Sequence, residues 1–574
     1  MRKRYLIIGI ILLFIFMSIA PSFAFDNVKK SSMSVSNGNI LYVGGSGEGN
    51  YSRIQDAIDN SSDGDTVFVF DDSSPYYEHL IINKSINLVG ENKYTTIIDG
   101  GGKGTIIGIS NGLVNFSGFT LRNSQGAGIN ANTFQTNIFE NIIKDCDWAG
   151  IYLAFSENNI VTNNTITNCG SGIELDRKGA KDLQPDYNTI RNNKISSNTN
   201  GIILMWCRGN NISQNIISNN DEGISIYLGC ENIIEGNNII SNRKGIWIFD
   251  TDNNTVFGNN IINNSGGIEF TSSDINNIFN NNISYNGYGI LFGNSKKNII
   301  NENIISNNYG NGIFLDVGGN YYNQILKNII SDNNVGLQIS PGCSDNNISD
   351  NIFFNDGFFI QSSLANVYYK NTVNGKPCII LKGESNKIID NIEAGQIILI
   401  DCNSITIKNQ DLSNSTIGIE LFYSNNCVLS GNNLLDNALY GVYIRGNENL
   451  ISNNLISKNN LYGVYIIGDN NFISGNNISK NLNGLFWEGV SNAVVENNFI
   501  LNKNHDARFF IASPSVFFNK WVKNYWDSAR LSFKLIFGYK LVTVLYLGDD
   551  FRIVLPFPWI GMDKNPANEP YDIP

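Results

Sequence analysis

The sequence predicts an all-β chain: a right-handed parallel β-helix, a three-sheet solenoid with a repeat of about 22 residues per coil. Three observations predict it. A Gly-aliphatic-x-aliphatic signature recurs at a nearly constant interval. Each interval holds three short segments with period-two alternation, and none has room for a helix. Asn recurs at fixed offsets from the signature Gly.

The signature begins at Gly150-Ile151-Tyr152-Leu153 and Gly172-Ile173-Glu174-Leu175 and continues at Gly201, Gly223, Gly245, Gly267, Gly289, Gly312, Gly336 and Gly357. It returns at Gly418, Gly441, Gly463 and Gly484. The step from Gly172 to Gly201 is longer than one coil, which places an insertion within 178–187. The step from Gly357 to Gly418 spans nearly three coils with weak signatures, so 361–416 is expected to be less regular. The repeating coils are not read as the Asn-Gly hairpins of an antiparallel meander. Stacking equivalent strands gives three parallel sheets with coils about 4.8 Å apart, and the crossovers make the winding right-handed. Roughly twenty such coils in one rod would reach on the order of 95 Å.

The offset Asn residues, such as Asn159, Asn210 and Asn232, or Asn164, Asn215 and Asn237, fall at corners between sheets. There Asn tolerates left-handed backbone angles, and its amide can bond the equivalent amide one coil away. Of eight Cys, Cys146 and Cys169 are separated by about one coil, as are Cys207 and Cys230. Such pairs are expected to stack on adjacent coils within disulfide range, either bridged or as free thiols.

Residues 1–24 read as a signal peptide: Arg2, Lys3 and Arg4, then the apolar run Tyr5–Ile19, then Ser22-Phe23-Ala24. Uncleaved, the same segment would serve as a membrane anchor. The chain is expected to be secreted or held at the cell surface. Residues 25–64 form a linker and N-terminal cap in which Ile54, Ala57 and Ile58 mark a short amphipathic helix. The β-helix covers 65–502. Residues 503–574 leave the repeat, and their aromatic content (Trp521, Tyr525, Trp526, Trp559 and Tyr571) suits a C-terminal cap that covers the open edge. The formal charge of −12 becomes −15 once Arg2, Lys3 and Arg4 are removed. So acidic a chain excludes nucleic acid as a partner and leaves glycans or cations.

Several pieces resemble a known family. Ile54-Gln55-Asp56-Ala57-Ile58, Gly64-Asp65-Thr66-Val67-Phe68-Val69, Ile86-Asn87-Leu88-Val89-Gly90 and Ile97-Ile98-Asp99-Gly100 look like the opening of NosD-like, carbohydrate-binding and sugar-hydrolysis type β-helix proteins. Asn374-Gly375-Lys376-Pro377 and Lys523-Asn524-Tyr525-Trp526-Asp527 are similar to later parts of the same family, including archaeal surface proteins. The resemblance implies the pectin-lyase-like fold shared by pectate lyases, polygalacturonases and alginate epimerases. Fold alone does not carry an activity. The family's namesake assists copper loading of an enzyme.

Copper sites draw on His, Cys and Met. The chain has two His, His79 and His505, and no Cys-x-x-Cys or His-x-x-His, so copper handling is the weakest reading. Polysaccharide cleavage is the stronger enzyme reading. The second residue after each signature Gly points outward: Tyr152, Glu174, Ile203, Ser225, Trp247, Glu269, Leu291 and Phe314. Glu174 and Asp176 share one strand face and are the catalytic candidates, with Arg177 beside them at the insertion. No cofactor is called for, though a lyase could bring Ca²⁺ held by carboxylates. The most economical reading is binding. Tyr152, Tyr227, Trp247, Phe249 and Arg177 could hold a polysaccharide or cell-envelope glycan, another surface protein, or a second copy. A third possibility is that 501–574 folds over this column.

Overall fold

The computed structural model describes residues 38–110, 112–177, 186–362, 365–511, 519–527, 534–546 and 552–573. They form a parallel β-solenoid of about 21 turns, with about 22 residues per turn and one short helix. Alternation explains the core. In one sheet Ile212, Ile234, Val256, Ile278 and Ile300 lie in parallel register and are fully buried, while their neighbours along each strand face out. Burying each such side chain contributes about 1.5–3 kcal/mol, and the column repeats coil after coil.

The asparagines form ladders. Asn259 Oδ1 accepts from Asn237 N at 2.9 Å and Asn237 Nδ2 at 3.0 Å. Asn259 in turn donates from N and Nδ2 to Asn281 Oδ1, both at 3.0 Å, and from Nδ2 to Ile234 O at 2.9 Å. Every polar group of the buried amide is satisfied, so burial carries no desolvation penalty of the unpaired kind. The left-handed corner angle, however, belongs to the residue before the ladder Asn. Asn253, Asn158, Gln214 and Tyr285 have φ near 55°, and the residue type varies. The ladder amide, not backbone tolerance, is what requires Asn at the corner.

The single rod expected from sequence is two stacks. The sheet that starts at Ile40–Val43 ends at Val367–Tyr369, and the equivalent sheet restarts at Ile388–Asp390 without pairing to it. Between them Thr372–Val373 pairs antiparallel with Lys376–Lys382. Asn374 and Gly375 make the turn, both with positive φ, as a two-residue hairpin demands. The irregular region 361–416 is therefore a junction. The first stack ends on strand Phe358–Ile360, and the side of the second stack lies across it. Gln396 Oε1 accepts Phe358 N at 2.8 Å, and Gln396 Nε2 donates to Phe358 O at 2.7 Å. Glu420 accepts Ile360 N through both oxygens, at 3.0 and 3.1 Å. Ile398, Ile400 and Phe422 join the first core, while Ile397, Leu399 and Leu421 line the second. The first end is thus packed against a sheet face, and the two axes form an elbow.

At the N-terminal end, helix Ile54–Asn60 buries Ile54, Ala57 and Ile58. It sits within the opening coil rather than ahead of it, because Ile40–Val43 precedes it and pairs with Thr66–Val69. At the C-terminal end, the coils run past residue 502 through His505–Ile511, Lys520–Val522 and Tyr525–Trp526. Trp521 and Trp526 are buried, stacked on Trp487 and Phe499 at 4.5 and 4.3 Å. A long hairpin, Lys534–Tyr546 with Arg552–Asp563, then extends the last sheet. The described part of the C-terminal segment lies at this end, on residues 498–527, rather than over Trp247. Residues 1–24, read as a signal, lie outside the described residues. Among those described, no helix is long and apolar enough to cross a membrane.

One thiol expectation is overturned. Cys146 pairs with Cys169 across adjacent coils. Cys207 does not pair with Cys230, which instead faces Arg208. The register there sets Met205 beside Tyr227, and so Cys207 beside Gly229. Cys230 is one residue further along, which sends its side chain to the opposite face. Cys207 is buried and Cys230 half-exposed.

Candidate functional site

The outward face of the sheet that carries the signature strands is the place to look. Tyr152, Glu174, Ile203, Ser225, Trp247, Glu269, Leu291 and Phe314 form one continuous register column. Asp176, Met205, Tyr227 and Phe249 form the next.

Two clusters stand on this face. The first gathers Trp148, Tyr152, Glu174 and Asp176. The Trp148 and Tyr152 rings are 4.3 Å apart, and the Tyr152 hydroxyl donates to Asp176 Oδ2 at 3.4 Å. Glu174 is only 7% exposed. Its carboxyl is raised above the usual range by burial, with the Asp176 charge adding to this, against hydrogen bonds from the Ser171 and Trp148 side chains. Burial, then the Asp176 and Glu174 charges, push the Tyr152 phenol up to about 12. Arg177 does not join the cluster. Its guanidinium reaches Asp186 Oδ1 at 2.7 Å and Glu157 Oε1 at 2.9 Å, and it is 12% exposed. It clamps the base of the insertion, whose residues 178–185 lie outside the description.

The second cluster surrounds Trp247. Lys244 Nζ lies 3.3 Å from the Trp247 ring centroid and 3.1 Å from Glu269 Oε2. Glu269 also accepts the Tyr288 hydroxyl at 2.8 Å. Glu222 Oε2 accepts from Ser225 Oγ at 2.6 Å and from the Tyr227 hydroxyl at 3.0 Å. Tyr227, Trp247 and Phe249 pack edge to face or tilted, with centroids 5.3–6.0 Å apart. Burial, then the neighbouring carboxylates, raise the Tyr227 and Tyr288 phenols, so both stay protonated donors. Arg243 is paired with Asp221. Sequence reasoning found Tyr227, Trp247 and Phe249 but missed Lys244, Glu222, Glu269's role and Tyr288. Lys244 and Glu222 immediately precede their signature Gly, a position the outward count skipped.

A further aromatic group was missed on the second stack: Tyr440, Tyr443, Tyr462, Tyr465 and Phe486, with centroids of neighbouring rings 4.9–6.4 Å apart. The signal was present. Tyr443, Tyr465 and Phe486 are the second residues after Gly441, Gly463 and Gly484, but the column was followed only to Phe314.

Comparison with known proteins bears on the fold. A family model described as periplasmic copper-binding protein (NosD) matches residues 31–199 and 176–311. A second, described as right handed beta helix region, matches 256–393 and 395–530. The chain is a NosD-like right-handed parallel β-helix. No curated protein matches it in sequence. Among solved structures, this NosD-like chain is similar to the A-module of a mannuronan C-5 epimerase from Azotobacter vinelandii, at 16% identity, covering 56% of this chain and 93% of that one with TM-score 0.35. It is similar to XylC in complex with xylose, at 12% identity, covering 60% and 87% with TM-score 0.42. It is also similar to a PL6 alginate lyase in complex with a trisaccharide, at 14% identity, covering 59% and 86% with TM-score 0.40. The likeness is one of fold.

Among the described residues of the NosD-like β-helix no cluster of three His, Cys, Asp or Glu is brought together to hold a metal ion. His79 is in the opening coils with Nδ1 2.8 Å from Thr105 O, and His505 is in the last coils. Cys146 and Cys169 face each other. The described residues do not offer a copper donor set.

Proposed function

We propose that this chain is an exported, surface-held scaffold that binds a neutral polysaccharide along the outer face of the first stack. The Trp247 cluster carries the reading. Its aromatic rings are locked by one another and by Lys244, so little side-chain entropy is lost when a ligand settles on them. Glu222 and Glu269 are held by phenolic donors at fixed angles and retain acceptor capacity for sugar hydroxyls. Residues of one column stand one coil apart, about 4.8 Å, close to the length of one sugar ring in an extended chain. A glycan lying along the axis would therefore meet an equivalent position at each coil. The cations here are already paired with carboxylates, which favours an uncharged ligand.

Binding is preferred to cleavage because Glu174 is buried and hydrogen-bonded by Ser171 and Trp148, and Arg177 is engaged by two carboxylates. A second reading, glycoside hydrolysis, has one observation in its favour. A carboxyl raised by burial beside an Asp is the acid–base pattern such enzymes use.

A polysaccharide array read for both retention and soluble products tests the proposal. Retention of a neutral glycan, weakened about tenfold or more by Trp247→Ala, without product, is the expected result. Release of products that disappears in Glu174→Gln or Asp176→Asn would replace binding with hydrolysis. Neither retention nor product would leave only a structural role.

A further inference from the structure

We propose that the second stack carries a separate site for an acidic glycan, formed by the partly exposed Tyr462, Tyr465 and Phe486 between Arg445 and Arg508. This goes beyond the reading above, which concerns the first stack and a neutral ligand.

The site begins at the elbow. Tyr443, Tyr465, Phe486 and Arg508 occupy one outward register column on consecutive coils. Phe359, from the last strand of the first stack, packs against Tyr443 with centroids 5.1 Å apart, and Gln361 bonds the Tyr443 side chain. The column therefore starts at a wall and runs away from it. Tyr443 and Tyr465 stack at 5.6 Å and 10°, and Tyr465 and Phe486 at 4.9 Å and 20°. Tyr443 is buried against the first stack and anchors the row, while Tyr465 and Phe486, fixed by this stacking, stay partly exposed. For Tyr465 and its neighbour Tyr462 the outward edge is a hydroxyl that no other described residue engages. Burial raises both phenols, so they stay donors. The surface is rigid and hydrogen-bonding rather than merely greasy.

Charge decides the ligand class. Arg445 lies two residues beyond Tyr443, its guanidinium 4.8 Å from the Tyr423 ring and 5.5 Å from Phe422. Arg508 is exposed beside Phe486, and its charge reaches Tyr462 and His505. Among the described residues neither arginine has a carboxylate within ion-pair distance. The nearby anions are the buried Glu420, one coil before Tyr443 in its column, Glu488, which stands two coils from Arg445 in that arginine's column and whose charge reaches Tyr465, and Asp506, which is paired with Lys534 at 3.1 Å. On the first stack the pattern is the reverse, with Lys244, Arg243 and Arg177 each engaged by a carboxylate. Two guanidinium forks three coils apart, about 14 Å along the axis, and without a carboxylate partner among the described residues, match carboxylates on a chain of uronic acids. Each fork can take one carboxylate through two parallel hydrogen bonds. The tyrosine hydroxyls between them meet ring and hydroxyl oxygens.

The test is titration calorimetry of the full chain with tetragalacturonate and with neutral cellotetraose. Wild type is expected to bind the uronate, more weakly as salt is added. The double variant Arg445→Gln/Arg508→Gln should weaken uronate binding about tenfold or more, and Arg508→Gln alone, at an exposed side chain, should weaken it by a smaller factor. Cellotetraose binding and its loss in Trp247→Ala report on the first-stack reading, so the two readings fail separately. Absence of uronate binding, or uronate binding indifferent to both arginine variants, would overturn the proposal.

Discussion

One asparagine ladder of each stack ends on an aspartate, and the stacks then close in different ways. In the first, Asp356 Oδ2 accepts Asn333 N at 3.1 Å and Asn333 Nδ2 at 2.7 Å, while its buried Oδ1 has no partner. In the second, Asp563 comes from the C-terminal hairpin and accepts the Lys523, Asn524 and Asn565 main-chain N–H groups, the Asn524 amide and the Trp526 indole. A ladder whose amides all donate in one direction presents N–H groups at its last rung. An acceptor-only carboxylate fits that position. The edge strands differ more. Main chain continues the second stack, whereas the Gln396 and Glu420 side chains cover the first. Closure by side chains leaves carboxylates in a core without a cation. Burial pushes Asp356 up to about 7 and raises Glu420 well above its usual range. Asp332 is the charge acting on Asp356, while Tyr368, Cys378, Tyr440 and Tyr443 feel Glu420.

The comparison can be broken at four points. The largest effect is expected from Phe422→Ala, which empties the core between the stacks and should cost about 3–5 kcal/mol in denaturant unfolding. A loss below about 1 kcal/mol would mean the junction is not packed as a core. Next comes Asp563→Ala. It leaves several buried donors unmet and should cost about 2–4 kcal/mol, with Asp563→Asn costing less because one acceptor oxygen remains. Equal losses in both would show that acceptance is not what Asp563 supplies.

The third point is a pH profile. Asp356 titrates near 7 when folded and near 3.9 when unfolded, so folding favours its protonated form. That contribution is complete below about pH 4 and is lost as pH rises through about 7; Glu420 has the same sign. Asp356→Asn should flatten the decline between those values by about 1–4 kcal/mol. Parallel profiles for wild type and variant would remove Asp356 from the account. The smallest change is a mass difference. Under mild oxidation Cys146 and Cys169 are the pair in register to bridge, whereas Cys207 and Cys230 are not. A peptide linking Cys207 to Cys230 in a non-reducing digest would contradict the register.

Much of the fold was legible. The coil, its three strands, and the inward and outward columns follow from Gly150 through Gly484 because alternation is local. The ladders followed from Asn spacing, though the left-handed angle was assigned to the wrong residue of each corner pair. The site was legible only in part. Tyr227, Trp247 and Phe249 were found because they share one column. Arg177 was misplaced because its partners, Glu157 and Asp186, lie on the coil before and across the insertion. Lys244 escaped notice because its place over Trp247 depends on where a long side chain folds back.

The sequence by itself determined the period, the handedness of the winding and which residues face the core. These follow from spacing along the chain, where a coil of constant length repeats every contact. Only the tertiary structure decided where the stack breaks, which charges are neutralised and which thiols meet. Those depend on the relative lengths of neighbouring coils, and one residue more or less sends a side chain to the other face.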